Sequence, residues 1–129
     1  MLNAKVKYVH RDVQFNDINP VNYDITSLLD FLKYYKQANN LGLGKSNPLF
    51  HDSKQYHVLG NKMAKICKDP VLTAIAANIL RHQYCNGATL SKYDLDFIEG
   101  VEDMCHISKK FTRKQSWQLG MLLTDHCEF

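Results

Sequence analysis

The chain of 129 residues and 14.9 kDa is 45% hydrophobic and 22% charged, the composition of one ordinary globular domain spanning 1–129. A chain of this size can bury roughly two-thirds of its unfolded surface in one core without staples, and it is too short for two well-packed halves. Sixteen Lys and Arg against thirteen Asp and Glu leave a formal +3, too mild to identify a nucleic-acid binder by charge alone. The excess sits in residues 1–64, with eight basic and five acidic side chains, none of them Glu, whereas residues 65–129 carry eight of each. The longest nearly apolar run, Val71 to Leu80, is interrupted by Thr73 and Asn78 and falls far short of a bilayer span, so no membrane partner is expected. Cys67, Cys85, Cys105 and Cys127, in a chain whose start has no apolar signal segment, read as reduced thiols of a cytoplasmic protein.

In residues 1–20, Val6 and Tyr8 alternate with Lys5 and Lys7, and Val9, Val13 and Phe15 take the other parity. This pattern predicts an extended basic arm, with no partner strand evident downstream. From Asp24 the period becomes helical, and residues 24–127 read as the helical core. Ile25, Leu28, Leu29, Leu32 and Tyr35 line the first helix, Ser27 with Asp30 offers it a capping box, and Asn39, Asn40 and Gly42 stop it. A second helix begins near Asp52 or Ser53 and runs to Lys68, with Tyr56, Leu59, Met63, Ile66 and Cys67 on one face. Asp69-Pro70 starts the third, whose broad apolar face of Val71, Leu72, Ile75, Ala76, Ile79 and Leu80 marks the expected centre of the core. Asn86-Gly87 ends it. Ser91 and Asp94 cap a fourth helix to about Ile107, and Thr112 with Gln115 caps a fifth through Trp117, Leu119, Leu122 and Leu123. The expected fold is mainly α, a compact bundle of about five helices with an extended N-terminal arm.

Three constellations could carry chemistry. Gly42-Leu43-Gly44-Lys45-Ser46 copies the end of a phosphate-binding loop, but Asn39 occupies the position of the required first glycine and Asn47-Pro48 follows where a helix should open. A helix-stop loop is the better account. His82, Cys85, His126 and Cys127 are a candidate zinc set, because helices three and five running in the same direction would end at one pole. Adjacent helical residues point about 100° apart and no Cys-x2-Cys doublet is present, so the set is a secondary alternative and neither metal nor cofactor is expected. Asp94, Asp96, Glu99, Glu102 and Asp103 read as a solvated face, and no nucleophile signature occurs.

The third constellation is electrostatic: Lys109, Lys110, Arg113 and Lys114 surround Phe111 and precede Trp117, and Lys62, Lys65 and Lys68 recur along helix two. Clustered cations beside aromatic rings suit phosphates and stacked bases. Lys5, Lys7, His10 and Arg11 of the arm would add to this patch from the same side.

The order Leu90-Ser91, Asp94, Phe97-Ile98, Val101, Lys110-Phe111-Thr112, Lys114-Gln115, Trp117 resembles a two-helix segment of phage and bacterial replication- and recombination-associated accessory proteins, with Phe111 in place of the usual Leu. The resemblance covers residues 90–123 and implies an accessory role near nucleic acid without transferring a catalytic residue. The expected function is therefore a small non-catalytic accessory protein of phage type that contacts DNA or RNA through Lys109, Lys110, Phe111, Arg113 and Lys114. The alternative is a protein-interaction module, an inhibitor or adaptor of a host enzyme, using the arm or an exposed helix face.

Overall fold

The computed structural model describes residues 5–8, 21–85, 90–107 and 109–126, with the backbone alone described for 5–8, 21–23 and 82–85. The fold is mainly α: an extended N-terminal segment followed by five α-helices among the described residues. Strand β1 (Lys5–Tyr8) pairs antiparallel with β2 (Val21–Asp24), Val6 opposite Tyr23 and Lys7 opposite Asn22. Of the expected arm, Lys5–Tyr8 is thus extended, and it has a partner strand that the sequence pattern did not reveal. Val21-Asn22-Tyr23-Asp24 alternates over only four residues, too few to stand out as a period. Val9, His10, Arg11, Val13 and Phe15 lie outside the described residues.

Helix α1 (Thr26–Asn40) does not use the expected Ser27–Asp30 box. Instead Asp24 Oδ1 accepts the Thr26 N–H at 2.9 Å, an aspartate turn that starts the helix earlier. Asp30 is left to face α2 (Lys54–Ile66), where its carboxylate accepts from Lys62 Nζ at 2.6 Å. The C-terminus closes as a Schellman motif, with Gly42 at φ +74°, its N–H on Asn39 O at 3.0 Å and the Leu43 N–H on Ala38 O at 2.8 Å. Lys45 then pairs with Asp125 and reaches Thr124 Oγ1 at 3.2 Å. The phosphate-loop look-alike is therefore a helix stop that ties the end of α1 to the end of α5 (Arg113–His126).

A 3-10 turn at Phe50–Asp52 leads into α2, whose Ser53 Oγ accepts the Tyr56 N–H at 3.1 Å. Asp69 Oδ1 accepts the N–H groups of Val71 and Leu72 at 3.0 and 3.2 Å, starting α3 (Pro70–Cys85). Ser91 Oγ accepts the Asp94 N–H at 3.1 Å at the head of α4 (Lys92–His106). The Thr112–Gln115 box is reciprocal: the Thr112 N–H donates to Gln115 Oε1 at 2.9 Å and the Gln115 N–H to Thr112 Oγ1 at 3.1 Å. The expected stop at Asn86-Gly87 lies outside the described residues.

Helix α3 buries the continuous run Leu72 to Ala77 and packs mainly on α4, a contact reinforced by Arg81, whose Nε and Nη2 both donate to Glu102 Oε1 at 2.9 and 2.6 Å. The expected central position of α3 is shared: α5 is the helix that packs on α1, α2 and α3 together. Leu119 and Leu123 of α5 are fully buried with Phe31 and Leu32 of α1, Leu59 and Met63 of α2, and Ile75 and Leu80 of α3. Gly120 makes this approach possible. A Cβ there would lie 2.6 Å from Met63 Cγ and 3.0 Å from Phe31 Cζ. Gly120→Ala is expected to destabilise the protein by about 1–3 kcal/mol through overpacking, outweighing its gain in helix propensity, as a lower urea midpoint would register.

Candidate functional site

The segment between α4 and α5 is pinned at both ends. The Lys109 N–H donates to Met104 O at 2.9 Å across the end of α4, and the Thr112–Gln115 box fixes the start of α5. Between these anchors Phe111 is the one apolar side chain and packs against the core, so Lys109 and Lys110 are turned to solvent. Arg113 and Lys114 follow in the first turn of α5, which contains no acidic residue. Cations at a helix N-terminus oppose the helix dipole, so their placement is not one that folding favours.

Four of the five residues singled out from sequence share one cleft of about 410 Å³: Lys109, Lys110, Phe111 and Arg113 line it with Lys68 and Pro70, and its floor includes Cys67 and Ser116. Lys114 faces a second cleft of about 280 Å³, lined by Tyr56, Gly60, Arg113, Lys114 and Trp117. Arg113 belongs to both. Its guanidinium lies over Gly60, where a Cβ would stand 2.6 Å from Nη2. Neither cleft is lined by a carboxylate. The ion pairs Lys45–Asp125, Lys62–Asp30 and Arg81–Glu102 involve none of the cations that line these two clefts.

Sequence reasoning missed Tyr56 and Gly60, which it assigned to a core face or passed over, and did not join Lys68 to the cluster. The joining signal was present: Lys68 stands two residues before Pro70, so it sits at the pole where α2 ends and α3 begins. Antiparallel packing of α4 on α3 returns the chain to that pole at the start of α5. Lys62 and Lys65 of the same stripe line a different, mixed-charge cleft with Asp30 and Asp69.

Cys67 is buried among α2, α3 and α5, its thiol flanked by the Thr73 and Ser116 hydroxyls. Those hydroxyls donate to helix carbonyls, Thr73 to Asp69 O at 2.8 Å and Ser116 to Thr112 O at 3.1 Å. Burial pushes the Cys67 thiol up from its ordinary value, and its hydrogen bonds with Ser116 and Thr73 offset part of that rise. A thiol held protonated is the opposite of an activated nucleophile. Of the candidate metal set, His126 is half-buried at the end of α5, whereas the side chains of His82 and Cys85 and all of Cys127 lie outside the described residues. Among the described residues no group of three or more His, Cys, Asp or Glu is placed to hold a metal ion, and no helix is long and apolar enough to cross a membrane.

No protein-family model, curated protein or solved structure matches this chain.

Two outcomes are expected. A raised folded-state thiol pKa contributes stability that is present below the unfolded value of about 8.5 and is lost as pH rises through the folded value. Urea midpoints should therefore fall more between neutral and strongly alkaline pH for the parent chain than for Cys67→Ala. Gly60→Ala should leave the melting temperature unchanged or raise it, because the only side-chain group in the way is the mobile end of Arg113 and helix propensity improves by up to about 1 kcal/mol.

Proposed function

We propose that this chain is a small accessory protein that binds nucleic acid by its phosphates, through the cleft of Lys68, Lys109, Lys110 and Arg113 and the adjoining Lys114. The observation that carries this reading is the convergence of five cations on two neighbouring clefts with no carboxylate in either lining. An arrangement in which like charges face one another costs folding free energy, and a polyanion offsets that cost. The positive end of α5 acts in the same sense, since a helix N-terminus favours an anion. The resemblance of residues 90–123 to the two-helix segment of phage and bacterial replication- and recombination-associated proteins supports the same role, because that stretch comprises α4, the basic turn and most of α5. No catalytic step is needed for it.

The reading is tested by binding DNA and RNA oligonucleotides over a range of salt. Affinity should fall steeply, with a log–log slope of about −0.7 per neutralised phosphate on a single strand. The double substitution Lys109→Ala with Lys110→Ala should reduce the size of that slope by about 1.4, about 0.7 for each lost phosphate contact, and weaken binding alike for all sequences. Lys45→Ala, at a residue already paired with Asp125, should change neither. Absence of binding at low salt, or an unchanged slope in the double variant, defeats the proposal.

The protein-interaction reading has narrower support. Among the described residues Leu41, Leu49, Tyr93 and Ile107 are the large apolar side chains left 67–75% exposed; Leu41 shares a cleft of about 150 Å³ with Tyr34, Gln37, Ala38, Leu43 and Gln55, but that cleft is small and Tyr93 and Ile107 are carried by a separate helix and its C-cap. Stoichiometric capture of one protein, lost on changing Leu41 and Leu49 but indifferent to Lys109 and Lys110, would favour it.

A further inference from the structure

We propose that the second cleft receives an unstacked base, so that the chain selects single-stranded nucleic acid over duplex; this rests on the phosphate-binding reading above and specifies its substrate. Tyr56 and Trp117 both line this cleft, their ring centroids 4.5 Å apart and their planes inclined at 59°. At this distance the two half-buried rings are in tilted contact with each other, so the slot is the part of the cleft bounded by their outward surfaces and by Gly60, Arg113 and Lys114, not a gap between the rings. Buried Phe50 supports them from behind, edge-on to Tyr56 at 5.6 Å and 6.1 Å from Trp117. His51, which is exposed, stands edge-on to Tyr56 at 5.0 Å and extends the aromatic surface outward.

Rings held by such a support keep a fixed platform, and aromatic platforms beside cations bind bases through their faces, whatever the sequence. In a duplex those faces are hidden in the stack, and only a splayed base can reach a slot lined by Tyr56 and Trp117. Arg113 is the wall common to both clefts, and its guanidinium spans Gly60 between the aromatic slot and the cationic cleft. A base in the slot therefore places its flanking phosphates beside Arg113 and Lys114, with Lys109 and Lys110 following along the strand. The selection comes from this juxtaposition: phosphate contacts alone would take either form of nucleic acid.

The test uses the full chain and three probes of equal length, oligo(dT), its abasic counterpart and a duplex, followed by emission of Trp117, the single tryptophan of the chain. Oligo(dT) is expected to quench Trp117 and to bind roughly ten-fold more tightly than the abasic strand, which has the same phosphates and no bases. Tyr56→Leu should bring oligo(dT) down to the abasic affinity while leaving the abasic affinity unchanged. Gly60→Ala should weaken oligo(dT) several-fold without loss of thermal stability. Equal affinity for all three probes with unchanged Trp117 emission overturns the base slot and leaves the phosphate reading standing. Failure of all three to bind at low salt overturns both, as does binding of an acidic peptide in their place.

Discussion

The close approach of α5 to α2 is the constraint on which the rest of the molecule depends. Two glycines set it from opposite sides. Gly120 of α5 lets Met63 and Phe31 come so near that no Cβ could be accommodated without movement, and Gly60 of α2 leaves its surface flat beneath the Arg113 guanidinium. The first closes the core, where Leu59, Met63, Leu119 and Leu123 are fully buried. The second opens the surface, because the space above Gly60 becomes the junction of two clefts. One helix pairing thus supplies the burial that holds the bundle together and the relief in which its cations are displayed.

The two ends of α5 are treated differently. Its C-terminal end is tied down, with Lys45 bound to Asp125 and Thr124 and held 5.7 Å from the centre of the Tyr35 ring. At its N-terminal end the backbone is fixed by the Thr112–Gln115 box, but the side chains of Arg113 and Lys114 are exposed. The backbone there is fixed while the cationic side chains above it remain exposed to solvent. The Thr73 and Ser116 hydroxyls, buried at 0% and 3% exposure, both turn back onto their own helices and toward Cys67. The floor of the cationic cleft is therefore polar yet satisfied, and contributes no charge of its own.

Much of the helical architecture was legible because its signals are local. Asp69-Pro70, Ser91 and Thr112–Gln115 each act within a few residues, and each caps the helix that the sequence assigned to it. The Ser27–Asp30 box failed for an equally local reason: Asp24 captures the Thr26 N–H first, and Asp30 finds Lys62, thirty-two positions away, which no window could anticipate. Strand β2 escaped because four residues make no period. At the site, Lys109, Lys110, Phe111 and Arg113 were legible as a run, and they do share a cleft. Tyr56 and Gly60 were not, since a tyrosine on the inner face of a helix reads as core and a glycine reads as nothing. Their importance exists only once α5 lies across α2. The helix stop expected around Gly42 is present as a Schellman closure, its signal again lying within a few residues of the helix end.

The absence of any acid from the first turn of α5 has a thermodynamic consequence. Arg113 and Lys114 stand in the field of the helix dipole and of Lys68, Lys109 and Lys110, so this corner of the protein is folded against its own electrostatics. Small ions relieve that repulsion by screening, as an anionic ligand does by neutralising it. Added salt should therefore stabilise the folded chain by screening these charges. Anything that screens or neutralises these charges raises the stability of the fold, so the stability of the chain is set in part by the ions around it.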